Sequence, residues 1–556
     1  MELFCSYHSD QIGKEVVKVK ADLIIKSNSI FDVIHQTPYP GYVAVKGNRI
    51  ISVGKPEDAE QFADAHTVIK EFGDNTVMPG FHDSHTHFIM GGLFQTHVNL
   101  ADARSEEECV QLVKDSVDRG EQTGKWILGF SWYHVFWDNQ TMPSCKSLDK
   151  VFPDRPVCLI HAEAHGAWVN KAAMKIMGVT KDTPDPFGGK ILRDENGEPS
   201  GVFLEAATGM ATGCAFDFTK EEEKSIIHGF MEAARKYGIT SINDVMPFFH
   251  GNMGDLKVYS DMDKSGELTV RIHAAPNLLG DLDEVLENRK KYRSDKLHID
   301  HVKQFLDGVC TTHTSLLLED YADMPGERGA GLYNLEPIRE AVPEAHKRGL
   351  SIKLHSCGDG SARFALDCFE DAIKKYGPNG CRHAIEHIEV LDDSDLPRFG
   401  ELGIIPSVQP EHMALTQTFA ENPYPIVLGK ERADKTWPLK DLYDTAGLLA
   451  IGSDCPVVDN NPFLEIYRGV TRLHNDGQPE GGWNPTQKLS LYEVLRSYTY
   501  GSAYGAFREN ELGTLEEGKF ADIAVIDKDL FAIDPSELID RKVIMTVMDG
   551  NIIYEV

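Results

Sequence analysis

VMPGFHDSHTH, residues 77–87, is the stretch on which the fold of this chain turns. An apolar approach, Val77 and Met78, meets a Pro79-Gly80 break, and His85 and His87 follow one residue apart. On an extended strand residues i and i+2 share a face, so both imidazoles reach one ion from one strand end while Thr86 points away. Imidazole nitrogens suit zinc, iron, copper and nickel, which makes the pair half of a transition-metal site. In a chain with 22 histidines, a surface loop that happens to carry two of them is the competing reading. The rest of the sequence decides between the two.

On either side of this stretch the pattern changes. Before it, VKADLIIKS, GYVAVKGNRIISVG and HTVIKEFG alternate and are punctuated by Gly, Pro and Asn, which predicts short strands, with a hairpin at Gly47-Asn48. The far end repeats the pattern in KFADIAVIDKDL and VIMTVMDGNIIYEV, with a second Gly-Asn turn at Gly550-Asn551. Two strand-rich ends around a different middle predict one β-sandwich built from residues 1–77 and 512–556. Two separate small domains are the alternative.

Between them, helical segments such as EEECVQLVKDSVDRGEQTG alternate with short apolar runs: WILGFS, PVCLIHAEA, GITSINDV, HIDHVKQFLDG, LSIKLHS, RHAIEHIEV, GIIPSVQP and LLAIGSD. Strands alternating with helices over residues 78–511 predict a parallel sheet, and a long series predicts a (β/α)8 TIM barrel within the α/β class. Residues from about 101 to 220, with WYHVFWDN and DPFGGKILRDENGEPSG, exceed one barrel repeat and predict an inserted α/β lobe.

In such a barrel the reactive groups stand at the C-terminal ends of strands. Lys303 lies inside HIDHVKQFLDG, His355 ends LSIKLHS, RHAIEHIEV carries His387, and LLAIGSD ends in Asp454. Singly, each has a structural reading: a salt-bridged lysine, a satisfied core histidine, an aspartate making an Asx-turn. Together, polar groups near the ends of successive buried runs predict a site. Lys353 shares parity with His355 and competes with Lys303 for an inward position.

Composition limits the partners. The 556 residues carry 56 Lys+Arg against 87 Asp+Glu, a net charge of −31, which disfavours nucleic acid and anionic membrane surfaces. The N-terminus MELFCSYHSDQIGKE lacks the apolar core of a signal peptide, and no run of about 18 apolar residues offers a membrane span. Ten scattered cysteines without a CxxC pair are most simply free thiols, and the expected compartment is the cytoplasm. No GxGxxG or GxxxxGK[ST] motif supports a nucleotide-dependent enzyme.

HDSHTH after the Pro-Gly break, one later histidine on each of two strands, and the final Ser-Asp resemble the amidohydrolase superfamily. WILGFSW, HGAWVNKAAM, FGGKILRDENGEPSGVFLE, LHSCGDGSARFALD, AIGSDCPV and LGTLEEGKFADIAVID narrow the likeness to its amidohydrolase 3 (YtcJ-like) branch, over residues 20 to 556. The resemblance implies a barrel beside a β-sandwich and one or two divalent ions, usually zinc. By position, His85 and His87 would bind the buried metal, a carbamylated Lys303 would bridge, His355 and His387 would bind the second metal, and Asp454 would be the base. It further implies water-driven cleavage of a small-molecule linear amide of N-formyl or N-acyl type, and is compatible with a homodimer.

A cyclic amide or carbamate hydrolase on the same site is the alternative, and a metal-free binding or regulatory relative is the alternative from another class. His165 and His412 end strand-like runs and are candidates to orient substrate, or are structural. Trp132, with Phe136 and Trp137, forms either an apolar substrate wall or the core of the lobe. DGVCTTHTS, residues 307–315, lacks the arginine that relatives carry in this loop.

Overall fold

The computed structural model describes residues 19–556 apart from 123, 138, 163–165, 187–188, 246–252, 330–333 and the side chain of 136. Both ends of the chain meet in one eight-stranded sheet. Leu23–Ile30, Tyr39–Lys46, Arg49–Gly54, Val68–Glu71 and Thr76–Pro79 come from the N-terminal end, and Ile523–Ile526, Val543–Met548 and Asn551–Glu555 from the other. The two Gly-Asn turns close antiparallel hairpins, and Ile523–Ile526 runs antiparallel to Thr76–Pro79, which joins the ends. Alternation gives the sheet two apolar faces: Ile25, Val43, Val525 and Val547 pack on one, and Ile24, Tyr42 and Ala44 on the other with Phe62. The two ends thus form one sheet continuous in its hydrogen bonding rather than the two packed sheets of the expected sandwich.

Pro79-Gly80 is the joint at which the chain leaves this sheet. A Cβ on Gly80 would lie 2.4 Å from Thr240 Oγ1, so glycine lets the first central strand come close to the second. The central strands are β1 (Phe81–Thr86), β2 (Ile239–Asp244), β3 (Arg271–Ala274), β4 (His301–Phe305), β5 (Ser351–Ser356), β6 (Ala384–His387), β7 (Ile405–Val408) and β8 (Ala450–Ile451). Helices separate them from β2 onward, as the alternation predicts; Lys220–Lys236, before β2, opens on a Thr219/Glu222 capping box and buries Ile226, Ile227, Phe230 and Met231.

All pairings among these strands are parallel, but they form two sheets rather than one closed ladder. One runs Leu297–His298, β3, β2, β1; the other runs β4 through β8. Isolated parallel bridges link their margins, Thr86 with Cys455 and Asn277 with Lys303.

Two expected central strands lie elsewhere. Ile127–Trp132 and Val157–His161 belong to the six-stranded sheet of the inserted lobe, with Val98–Asn99, Gly166–Val169, Gly189–Arg193 and Pro199–Glu205. Apolar runs buried on both faces look alike in either sheet, so local pattern does not separate them. Conversely, β3 is the four-residue RIHA, whose arginine and histidine disguise a buried strand. Among the described residues no cysteine is in a disulfide, and no helix is long and apolar enough to cross a membrane.

Candidate metal centre

The C-terminal ends of the parallel strands converge on one buried group of polar side chains. β1 delivers His85 and, just past its end, His87; Lys303, His355 and His387 come from β4, β5 and β6; His412 and Asp454 follow β7 and β8. Backbone hydrogen bonds hold the first and last strands in place: Asp454 N donates to His85 O (2.7 Å) and His87 N to Cys455 O (2.9 Å). Asp83 braces the same seam, accepting from His85 N (3.1 Å), Ser453 N (3.0 Å) and Ser453 Oγ (2.6 Å). Burial lifts its carboxyl to about 6 in spite of these donors.

Asp454 Oδ1 lies 3.3 Å from His85 Nε2 and 3.2 Å from His87 Nε2, and Oδ2 lies 3.7 Å from His412 Nε2. Ligand atoms of His85, His387 and Asp454 all lie within 4.8 Å of one another. The His387 ring centroid is 4.9 Å from that of His85 and 4.3 Å from that of His355. Neither ring nitrogen of His387 makes a hydrogen bond among the described residues, nor does Lys303 Nζ. His355 stands at the edge, with Nε2 3.3 Å from Gly308 O and 3.5 Å from Cys357 Sγ.

Backbone conformation aims two of these groups. His387 (φ 74°), Ile388 (φ 53°) and Asp454 (φ 60°) are left-handed, which costs a non-glycine residue about 1–3 kcal/mol. Successive side chains of a strand normally point to opposite faces. The left-handed turn at His387 lets it share the interior with the residue before it, Glu386, which the sequence analysis did not single out. Glu386 Oε2 lies 2.6 Å from His85 Nδ1, and Oε1 accepts from Lys353 Nζ at 2.9 Å.

Electrostatics follow from burial and from these pairs. Burial and the Lys303 charge oppose a proton on His85, yet Glu386 and Asp454 outweigh them and hold its pKa above the ordinary value. Burial lowers Lys303 to about 8 and His355 to about 3, and holds His387 well below the usual imidazole range. Burial favours a neutral Asp454 carboxyl, but His85 and His87 keep it ionised, with a pKa well below the usual carboxylate value.

Lys303 and Lys353 are register partners on β4 and β5, so both point inward. They differ in that Lys353 is spent on Glu386 and on Ser84 O (3.1 Å), whereas Lys303 Nζ makes no hydrogen bond among the described residues and lies 5.0 Å from the Phe305 ring centroid. Buried imidazoles, a carboxylate and an amine are a donor set that fits a divalent transition metal. A second triad, His346, Cys381 and His383, also has close ligand atoms, but its nitrogens are consumed. His346 Nδ1 meets His383 Nε2 at 2.8 Å, His346 Nε2 reaches Gly377 O at 2.9 Å, and Ile352 N donates to His383 Nδ1 at 3.2 Å.

One candidate substrate residue is not in this group. Trp132 is fully buried in the lobe, its indole N–H donating to Leu159 O (2.9 Å) and its rings packing against Trp137 and Trp168. It packs in the apolar core of the six-stranded sheet to which its strand belongs. His165 lies outside the described residues.

Parallel strands that bring imidazoles, a carboxylate and an amine together at their C-terminal ends define the class of a candidate metal-dependent hydrolase. Comparison with known proteins sharpens this. The model of the amidohydrolase family matches residues 73–554. The Arabidopsis thaliana protein LONG AFTER FAR-RED 3 is 30% identical, covering 96% of this chain and 92% of its own length. An N-substituted formamide deformylase of Arthrobacter pascens is 24% identical over 96% of this chain and 98% of its own. The crystal structure of an uncharacterized metal-dependent hydrolase from Pyrococcus horikoshii superposes with a TM-score of 0.77 at 24% identity, covering 92% of this chain and 99% of that one. The chain belongs to the amidohydrolase family.

Proposed function

We propose that this hydrolase cleaves the C–N bond of a small linear amide, of N-formyl or N-acyl amine type, with water as nucleophile. The observation that carries the reading is the buried meeting of His85, His387 and Asp454 beside the amine of Lys303, which makes no hydrogen bond among the described residues. The choice of a linear amide is supported by the likeness to a protein named N-substituted formamide deformylase. In this reading β1 to β8 close into a (β/α)8 barrel over residues 78–511, with the two isolated bridges as its seams. Residues 1–77 and 512–556 form the accompanying β domain, and the enzyme works in the cytoplasm.

His85, His87, His355 and His387, with Lys303, would hold one or two divalent cations, zinc by donor type. A bound cation would polarise the scissile carbonyl and bring a water molecule towards a pKa of about 7. Lys303 would join the ligands by reacting as a neutral amine with carbon dioxide, forming an N–C bond with release of a proton, and the carbamate would supply oxygen donors. Asp454, ionised and 3.7 Å from His412, accepts the proton of the attacking water as its oxygen bonds the carbonyl carbon. It then returns that proton to the amide nitrogen as the C–N bond breaks, which leaves a carboxylic acid and a free amine.

Elemental analysis of wild type and Lys303→Ala, purified without added metal, tests the centre. Two ions per chain falling to one or none supports a lysine-bridged pair. One ion unchanged by the substitution makes Lys303 structural, and none in either protein removes the mechanism. A panel of N-substituted formamides, N-acyl amines and cyclic amides then tests the substrate class; turnover of the cyclic amides alone would replace the linear reading.

A further inference from the structure

Beneath the histidines lies a charged layer to which the hydrolytic steps assign no task. Glu386 is 0% exposed, and its two oxygens are divided between His85 Nδ1 (2.6 Å) and Lys353 Nζ (2.9 Å). Lys353 Nζ also donates to Ser84 O at 3.1 Å, so one ammonium grips both the carboxylate and the backbone next to the ring that the carboxylate holds. A carboxylate only accepts, and a neutral imidazole has one donor and one acceptor nitrogen. His85 Nδ1 therefore carries a hydrogen, and Nε2 is the nitrogen turned to the side where Asp454 Oδ1 lies 3.3 Å away. A buried ion pair is weak as a source of stability, because desolvation offsets most of its attraction. What this pair does is fix the direction of a ring.

We infer that Glu386, held by Lys353, is the positioning residue that orients His85 at the metal centre, with Nε2 turned toward the site. A histidine ligand whose second nitrogen donates to a carboxylate is oriented and made a stronger donor by it. The inference rests on the metal reading above and extends it to two residues outside the ligand set. It also accounts for the division of labour between the register partners: Lys353 is consumed by Glu386, which leaves Lys303 as the amine free to react.

The test uses the full chain, stripped with chelator and titrated with cobalt(II) alone, followed by its visible absorption, with a melting temperature for each stripped protein. Glu386→Gln keeps an acceptor for Nδ1–H but loses the charge. The double variant Lys353→Met/Glu386→Leu removes both charges together and leaves no buried ion unpaired. Cobalt affinity is expected to fall about 10- to 100-fold in the double variant and less in Glu386→Gln, without a matching order in melting temperature. A pair that served packing alone would shift melting and leave cobalt affinity at the wild-type value, and that result overturns the inference. If the double variant does not fold, a Glu386→Gln protein with wild-type cobalt affinity and spectrum overturns it alone. Wild type that takes up no cobalt removes the metal reading and this inference with it, a failure distinct from uptake that is equal in all three proteins.

Discussion

Lys303 stands in surroundings that oppose what its chemistry prefers. Its amine is buried without a hydrogen bond among the described residues, and burial lowers its pKa from 10.5 to about 8. Below pH 8 the folded protein must bury a charge that the unfolded chain solvates. The penalty is complete below pH 8, shrinks as pH rises, and is gone above the unfolded value of 10.5. In chelator-treated protein Lys303→Met is therefore expected to be more stable than wild type at pH 7, by about 3 kcal/mol, with the difference nearly closed at pH 10. Urea unfolding of both proteins at the two pH values measures this; equal stability at pH 7 would show that the amine is solvated or paired. The same depressed pKa supplies the neutral amine that carbamate formation requires.

At the scale of elements, the site depends on how closely β8 approaches β1. A Cβ on Gly452 would stand 2.4 Å from His85 N and 2.7 Å from Asp83 Oδ1, so only glycine lets the strand carrying Asp454 lie against the one carrying His85. Gly452→Ala is expected to push these strands apart at a cost of about 1–3 kcal/mol and to lower bound metal per chain. Melting temperature and elemental analysis read the two effects. A variant that melts and binds metal as wild type does would mean that the seam yields without disturbing the histidines. The bond from Ser453 Oγ to Asp83 and the left-handed Asp454 belong to this seam and aim the carboxylate that follows it.

Across the whole molecule, the terminal sheet is bolted to the central strands by buried charge. Arg271, on β3 and fully buried, donates to Asp522 at 2.8 and 3.0 Å and to Asp549 at 3.1 Å, both from the C-terminal end. Its guanidinium lies 3.8 Å over the Phe520 ring, with Arg49 at 3.5 Å. Removing Asp522 leaves the buried Arg271 with Asp549 alone to compensate it, so Asp522→Ala is expected to destabilise the chain by about 3 kcal/mol, the low end of what breaking a buried pair costs. Activity well below the melting temperature should persist, because Asp522 makes no contact with the metal-centre residues in these pairings. Thermal melting beside low-temperature turnover checks this; lost turnover in a protein that is still folded would tie the terminal sheet directly to the site.

The kinds of donor and their places near strand ends were legible in the sequence because they depend on local pattern: His85 and His87 two apart on an extended run, His387 and Asp454 at the close of apolar stretches. The hairpins at both ends were legible for the same reason, each with a Gly-Asn turn between apolar runs. Which strands share a sheet was not. WILGFS and PVCLIHAEA meet the requirements of a buried strand in either sheet, and long-range pairing alone places them in the lobe and Trp132 in its core. Glu386 was hidden by parity, since the residue before an inward histidine should point outward, and the left-handed backbone at His387 reverses that rule. The choice between Lys303 and Lys353 rests on contacts such as Lys353 with Ser84 and His85 with Glu386, whose partners lie 269 and 301 residues apart. By itself the sequence determined the chemistry of the clustered side chains and the order in which strands deliver them, since both are written in neighbouring residues. Only the tertiary structure decided which lysine is free, which carboxylate orients His85 and how the strands divide into sheets, because each of these depends on register and close approach between distant segments.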